Sequence, residues 1–271
     1  MTFSIVARSG DGHSWGVAVA SKFLAVGAAV PAGEAGAGAL ATQAFANLRY
    51  KADGLRLLRA GSSAQATVQD LTGADDEREQ RQLGVVDASG GAATFTGSGC
   101  HPWAGGSAGD GYALQGNILT GPEVVEAMEC AFRDAPHDDP LARRLLAALA
   151  AGDAAGGDRR GRQSAALLVV RSGGGYGGLS DVEVDLRVDD APAPVEELRR
   201  LLDLHTLYFG RPDPAALLPL EGPLAEEVHD RLTRLGYSSL PEWAGVENYE
   251  MRLVDQAIDP LVLERLRAAA P

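Results

Sequence analysis

Short apolar runs arrive in pairs around glycine-rich turns in this chain, and helical stretches arrive in pairs between them. Residues 3–8 and 16–20 flank the turn Ser9-Gly10-Asp11-Gly12-His13, a composition suited to an antiparallel hairpin. Residues 82–87 and 90–96 close around a second such turn, and residues 164–171 and 182–188 form a third pair joined by residues 172–178. Helical spacing runs through residues 50–60 and 62–71, then 124–132 and from Asp139-Pro140 to Leu149, with a further helix over 195–207. Repeated hairpins weigh against a parallel sheet. They predict an α+β fold, a four-layer αββα sandwich of two antiparallel sheets with helices on both outer faces. Residues 23–40 read as closely packed strand and turn, and residues 97–111 as a glycine-rich connection. The charged run 75–81 reads as a solvated helix start or loop. Glycine runs near Gly10, Gly105 and Gly173 do not sit between a strand and a helix of a βαβ unit, which argues against a dinucleotide or phosphate loop.

The chain has 271 residues, 45% of them hydrophobic, enough for one large core and a smaller second one. Prolines 212, 214 and 219 with Gly210 break the pattern and place a boundary between a domain of residues 1–209 and a helical module of residues 220–271. In the module, Leu224, Val228, Leu232 and Leu235 share one stripe, and Leu261, Leu263 and Leu266 another. A formal charge of −13 repels phosphate backbones and anionic bilayers, so neither nucleic acid nor membrane is expected as a partner. With no export signal or spanning segment in the pattern, a cytoplasmic location is expected. Cys100 and Cys130 are expected as free thiols, and the scattered histidines at 13, 101, 137, 205 and 229 give no local support for a metal. No cofactor is implied.

Chemistry is concentrated in polar islands within these apolar runs. If Met1 is removed, Thr2 carries both a hydroxyl nucleophile and a free α-amine, a base of pKa about 7.7 to 8.0. Four patches are candidates to serve it. Ser21-Lys22 ends the second strand, where a lysine would lower the pKa of a neighbouring amine and stabilise an oxyanion, or simply stand in solvent. Thr42, Gln43 and Asn47 offer amides, or ordinary turn chemistry. Gln115 and Asn117 flank Gly116 inside an apolar strand, where burial without partners costs about 1 to 3 kcal/mol per group. Asp158, Arg159, Arg160 and Arg162 precede the strand at Ser164; the arginines suit a substrate carboxylate, and equally an internal ion-pair network.

The opening residues 2–8, Gly16-Val-Ala-Val-Ala-Ser-Lys, Ala41-Thr-Gln-Ala, Gln115-Gly-Asn, Gly157-Asp-Arg-Arg-Gly-Arg-Gln-Ser-Ala-Ala and Asp185-Leu-Arg-Val-Asp resemble the domain of unknown function 1028 family, placed in the N-terminal nucleophile hydrolase superfamily. The resemblance runs from Thr2 to about Phe209 and is carried most specifically by the Asp158–Ser164 block. It implies the αββα sandwich and amide cleavage by the terminal side chain. The opening is also similar to proteasome-like β-subunits, although Lys22 stands at a different spacing from Thr2. Leu235-Gly-Tyr, Trp243-Ala-Gly-Val-Glu-Asn-Tyr-Glu-Met-Arg and Ile258-Asp-Pro resemble the peptidoglycan-binding module that follows this family, and the module is a candidate for contacts with peptidoglycan or in a homo-oligomer.

The expectation is an amidohydrolase acting on a small amide, with or without a carboxylate. In it Thr2 is the nucleophile, Lys22 and Asn117 assist catalysis, and Ser21, Gln43, Asn47, Gln115, Asp158, Arg159, Arg160 and Arg162 bind substrate. The alternative is a binding protein of the same fold that recognises glycan or a protein partner through its helical module. Ser4, on the same strand face as Thr2, is the second choice of nucleophile.

Overall fold

The computed structural model describes residues 2–271. Its contacts divide the chain into a larger unit ending at Leu201 and a smaller one, Leu202–Pro271.

In the larger unit β1 (Thr2–Arg8) pairs antiparallel with β2 (Ser14–Ser21), in register from Phe3 opposite Ala20 to Arg8 opposite Trp15. The turn is fixed by its side chains. Ser9 Oγ accepts from the amides of His13 and Ser14, and Asp11 Oδ1 accepts from the His13 amide, while Gly12 takes the positive φ the reversal needs. The chain continues through α1 (Val26–Ala29), β3 (Pro31–Glu34), β4 (Gly38–Ala44), α2 (Arg49–Arg59) and α3 (Ala64–Gly73). Next come β5 (Arg81–Asp87), β6 (Ala92–Thr96), β7 (Gly105–Gly109), β8 (Tyr112–Asn117), α4 (Glu123–Asp134) and α5 (Leu141–Ala154). The elements β9 (Ser164–Arg171) and β10 (Val182–Val188) follow, and α6 (Pro194–Phe209) begins in this unit and runs on into the sequence of the smaller one.

Among the described residues the strands form a six-stranded sheet ordered β10-β9-β2-β1-β8-β7 and a four-stranded sheet ordered β3-β4-β5-β6. Every pairing in both is antiparallel. Alternation along each strand builds the layers. Val6, Val17, Val19, Ala39, Ala41, Val86, Ala113 and Ala166 form the core between the sheets. Leu40, Leu83 and Val85, on the outer face of the smaller sheet, pack with Tyr50 and Leu58 of α2 and Val68 and Leu71 of α3. On the larger sheet α5 lies close against β1 and β2: a Cβ at Gly152 would come 3.4 Å from Phe3 Cδ2, and one at Gly16 would come 2.7 Å from Leu145 Cδ1. The expected four-layer sandwich is the observed one.

Three segments depart from the expectation. Residues 23–40 include the short helix α1, and the glycine-rich connection 97–111 contributes the edge strand β7. Glycine and serine carry little apolar alternation, so backbone pairing with β8 alone defines that strand. The charged run 75–81 is solvated over residues 76–80, as expected, and departs only at its end, where Arg81 opens β5 and is buried. Its guanidinium donates to Asp75 Oδ2 (3.0 Å), Glu77 Oε2 (2.5 Å) and the Phe45 carbonyl (2.7 Å). Asp75 also accepts from Asn47 Nδ2 and the Tyr50 hydroxyl. The Arg81 hydrogen bond, then those from Asn47, Tyr50 and the Glu77 amide, hold the Asp75 carboxyl well below the usual carboxylate range despite its burial. A depressed folded-state pKa stabilises the fold above the unfolded value of about 3.9, and that stabilisation is lost as pH falls below it toward the folded value. Asp75→Asn is therefore expected to be less stable than wild type at pH 7, with the gap closing below about pH 4. Urea unfolding at pH 7, 5 and 3.5 measures this, and a gap independent of pH would contradict it.

The smaller unit holds α7 (Gly222–Leu235), α8 (Leu240–Val246) and α9 (Pro260–Ala269), with a two-residue pairing of β11 (Leu218–Pro219) and β12 (Ala257–Ile258). Val228, Leu232, Trp243, Tyr249, Val262, Leu263 and Leu266 form its core. Among the described residues no helix is long and apolar enough to cross a membrane.

Candidate functional site

The space between the sheets changes character along β1. At the Arg8 end it is filled by valine and alanine; at the Thr2 end it turns polar. Thr2 lies opposite Asn117 of β8, and Ser21 of β2 lies opposite Ser164 of β9. Thr2 Oγ1 and Ser21 Oγ are 3.1 Å apart and hydrogen bonded. The result is a row of polar side chains across four strands, all buried. Two amides hold the Thr2 carbonyl, Gln43 Nε2 at 3.3 Å and Asn117 Nδ2 at 3.5 Å.

One step deeper, the Ser4 hydroxyl donates to Gln43 Oε1 (2.7 Å) and accepts from Gln115 Nε2 (2.6 Å). Gln82 of β5 joins the two layers: its Oε1 accepts from Gln43 Nε2 (2.8 Å) and Asn117 Nδ2 (2.9 Å), and its Nε2 donates to the Gly116 carbonyl (2.7 Å). Buried amides linked in this way fix one another's orientation, and removing one leaves its partners unsatisfied. Gly84 makes room for the assembly, since a Cβ there would come within 2.0 Å of Gln115 Oε1. That oxygen is buried with no hydrogen-bond partner.

A loop closes the other side of Ser21. Asp158 is buried and accepts from the Lys22 amide (2.7 Å) and the Arg160 amide (2.9 Å). Phe3, Ser21, Asp153, Asp158 and Arg162 are among the residues lining a cavity of about 90 Å³, the liquid volume of roughly three waters.

Residues 2–198 match the family model described as "Family of unknown function (DUF1028)". The chain belongs to the DUF1028 family. Residues 208–266 match a second model, "Putative peptidoglycan binding domain". A crystal structure of the DUF1028 protein SPO2555 from Silicibacter pomeroyi is similar at 33% identity and a TM-score of 0.68, covering 83% of this chain and 92% of its own. Anbu, an ancestral β-subunit from Yersinia bercovieri, aligns at 14% identity and a TM-score of 0.33 over 74% of this chain and 93% of its own. No curated protein matches the chain.

Within the DUF1028 domain, the structure brings Thr2, Ser21, Gln43, Gln115 and Asn117 together. Asn47 is committed elsewhere, its amide donating to Asp75 at 2.9 Å. The Lys22 side chain is exposed and its ammonium donates to the Arg162 carbonyl at 3.2 Å. In the arginine block, Arg160 pairs with Asp158, Arg162 with Asp153 at 2.7 Å, and Arg159 donates to the Pro102 carbonyl. Binding a substrate carboxylate at Arg162 thus requires it to displace Asp153. Met1 lies outside the described residues. Gln82 was not a sequence candidate. Its signal is an amide at an inward position of a strand whose other inward residues, Gly84 and Val86, are small or apolar. Burial pushes the Cys100 thiol up, which disfavours a nucleophilic role there.

Proposed function

We propose that removal of Met1 leaves Thr2 as the N-terminal nucleophile of an amidohydrolase, in the manner of the N-terminal nucleophile hydrolases. The observation that carries this reading is the Thr2 hydroxyl, hydrogen bonded to Ser21 at the polar end of an otherwise apolar sandwich interior. Gln43 and Asn117 hold its backbone, and a cavity opens beside Ser21. The Thr2 oxygen attacks the amide carbonyl as its proton passes to the freed α-amine. The C–N bond then breaks, the ammonium returns the proton to the leaving nitrogen, and an ester on Thr2 remains. Water, deprotonated by the same amine, hydrolyses the ester to a carboxylic acid and restores the hydroxyl. A cytoplasmic location fits the composition.

Intact-mass spectrometry of the purified chain tests the first step. The expected mass lacks Met1, and incubation with an acylating β-lactone adds one acyl group that peptide mapping places on Thr2. Retention of Met1 in the folded protein rules the mechanism out. The match of residues 208–266 favours a second reading, recognition of glycan by the smaller unit. It predicts retention on insoluble peptidoglycan that survives Thr2→Ala and disappears when residues 220–271 are deleted.

A further inference from the structure

At the Arg8 end of β1, about 20 Å from Thr2 by strand rise, a second cavity of about 590 Å³ is lined by Arg8, Arg133 and Arg144 together with Asp110, Tyr112 and His137. The three arginines come from β1, α4 and α5. Several other arginines of this unit meet carboxylates, as in the Arg81, Arg160 and Arg162 pairs. Here, among the described residues, no carboxylate oxygen lies within 4.0 Å of any of the three guanidinium groups, although acidic residues outnumber basic ones 37 to 24.

Arg144 is the most telling of them. Only 3% of it is exposed. Its guanidinium lies 4.2 Å from the Phe132 ring centroid, Nη2 donates to the Phe132 carbonyl at 3.1 Å, and Nε has no partner. Arg8 repeats the arrangement: it stands 5.7 Å from the Trp15 ring centroid, Nη1 donates to the Ser89 carbonyl, and its buried Nε has no partner. A buried guanidinium without a close counter-charge, as in Arg144, is costly; Arg8 is half-buried, and both, held against aromatic faces, belong to the lining of the cavity. Arg133 adds a third, exposed charge at the rim. Asp110 also lines the cavity, Asp139 acts on Arg144 from beyond ion-pair distance, and the Tyr112 hydroxyl is occupied in donating to Glu129.

We propose that this cavity binds a small ligand bearing an oxyanion, a carboxylate or a phosphate, as the missing counter-charge of Arg8, Arg133 and Arg144. The forked guanidinium groups suit planar and tetrahedral oxyanions alike, and the volume admits a group larger than a single inorganic ion.

The experiment is a thermal-unfolding titration of the full chain with sodium phosphate and, separately, sodium citrate, against sodium chloride at matched ionic strength. One or both anions are expected to raise the Tm in a saturable way that chloride does not reproduce. A response to phosphate alone assigns a phosphate ligand, and one to citrate alone a polycarboxylate. Arg133→Gln and Arg8→Gln are expected to weaken the apparent affinity about 10-fold or more each, as loss of a charge-assisted contact does. Both variants leave the buried Arg144 in place, so the test stands even if Arg144→Met does not fold. Thr2→Ala is expected to leave the titration unchanged, which separates this site from the proposed catalytic one. A Tm insensitive to both anions beyond the chloride effect overturns the proposal, as does an undiminished response in the Arg8→Gln/Arg133→Gln double variant.

Discussion

In Thr2→Ala, hydrolysis of small amides is expected to fall by about 10³-fold or more, while stability changes by only about 1 kcal/mol. The two effects separate because of what the side chain does. Its hydroxyl is hydrogen bonded to Ser21, and loss of such a bond is worth about 0.5 to 1.5 kcal/mol. The strand itself is held by backbone pairing to β2 and β8, and the Thr2 carbonyl keeps its bonds from Gln43 and Asn117. For the reaction, however, no other hydroxyl takes its place. Ser4, the second choice from sequence, is fully buried, with its hydroxyl shared between Gln43 and Gln115. Thr2→Ser retains an attacking oxygen and is expected to keep measurable activity. A panel of chromogenic anilides of small acyl and aminoacyl groups, assayed on wild type, Thr2→Ser and Thr2→Ala, gives the comparison. Equal turnover by wild type and Thr2→Ala would remove Thr2 from the chemistry.

The paired runs around glycine turns were enough to read the sandwich, because hairpin spacing is a local property and the alternation of Val6, Val17 and Val19 marks one inner face. The polar end of that face was half legible. Gln115 and Asn117 stand out as amides inside a strand, and Thr2 and Ser21 as the ends of paired strands. Gln82, which ties them together, follows a charged run and looks like its continuation; only the stacking of one sheet on the other shows that it points inward. The end of the charged run misleads for the same reason. Residues 76–80 are solvated as they look, yet Arg81, as the first residue of β5, is carried into the interior. The arginine-rich block shows the reverse limit. Its three cations are visible in sequence, but their partners, Asp153, Asp158 and the Pro102 carbonyl, are set by a turn whose geometry sequence spacing does not specify. The second arginine group, gathered from residues 8, 133 and 144, has no linear signature at all.

The largest stability effect is expected in the smaller unit, from Asp259→Ala. Arg252 and Asp259 are each about 4% exposed at the side chain and pair at 2.6 Å. The same guanidinium donates to the carbonyls of Leu207 and Thr206. Asp259 has a second task, because its other oxygen accepts the Leu261 amide at 2.8 Å and caps α9. Alanine leaves a buried cation without its counter-charge and the helix without its cap. Breaking a buried pair from one side costs about 3 to 5 kcal/mol, and losing a cap typically adds about 1 kcal/mol. A unit with so small a core has little stability to spare, so most of its cooperative unfolding transition is expected to be lost at 37 °C. Asp259→Asn keeps an oxygen for both the cap and the guanidinium and is expected to cost clearly less. Limited proteolysis followed by mass mapping distinguishes the two: rapid cleavage within residues 202–271 is expected for the alanine variant, with residues 2–201 remaining protected. Wild-type resistance in Asp259→Ala would show that the pair does not hold this unit together. If the smaller unit is the glycan-recognising part, the same variant loses retention on peptidoglycan while amide hydrolysis at Thr2 continues, because the Thr2 site draws its residues from the larger unit alone.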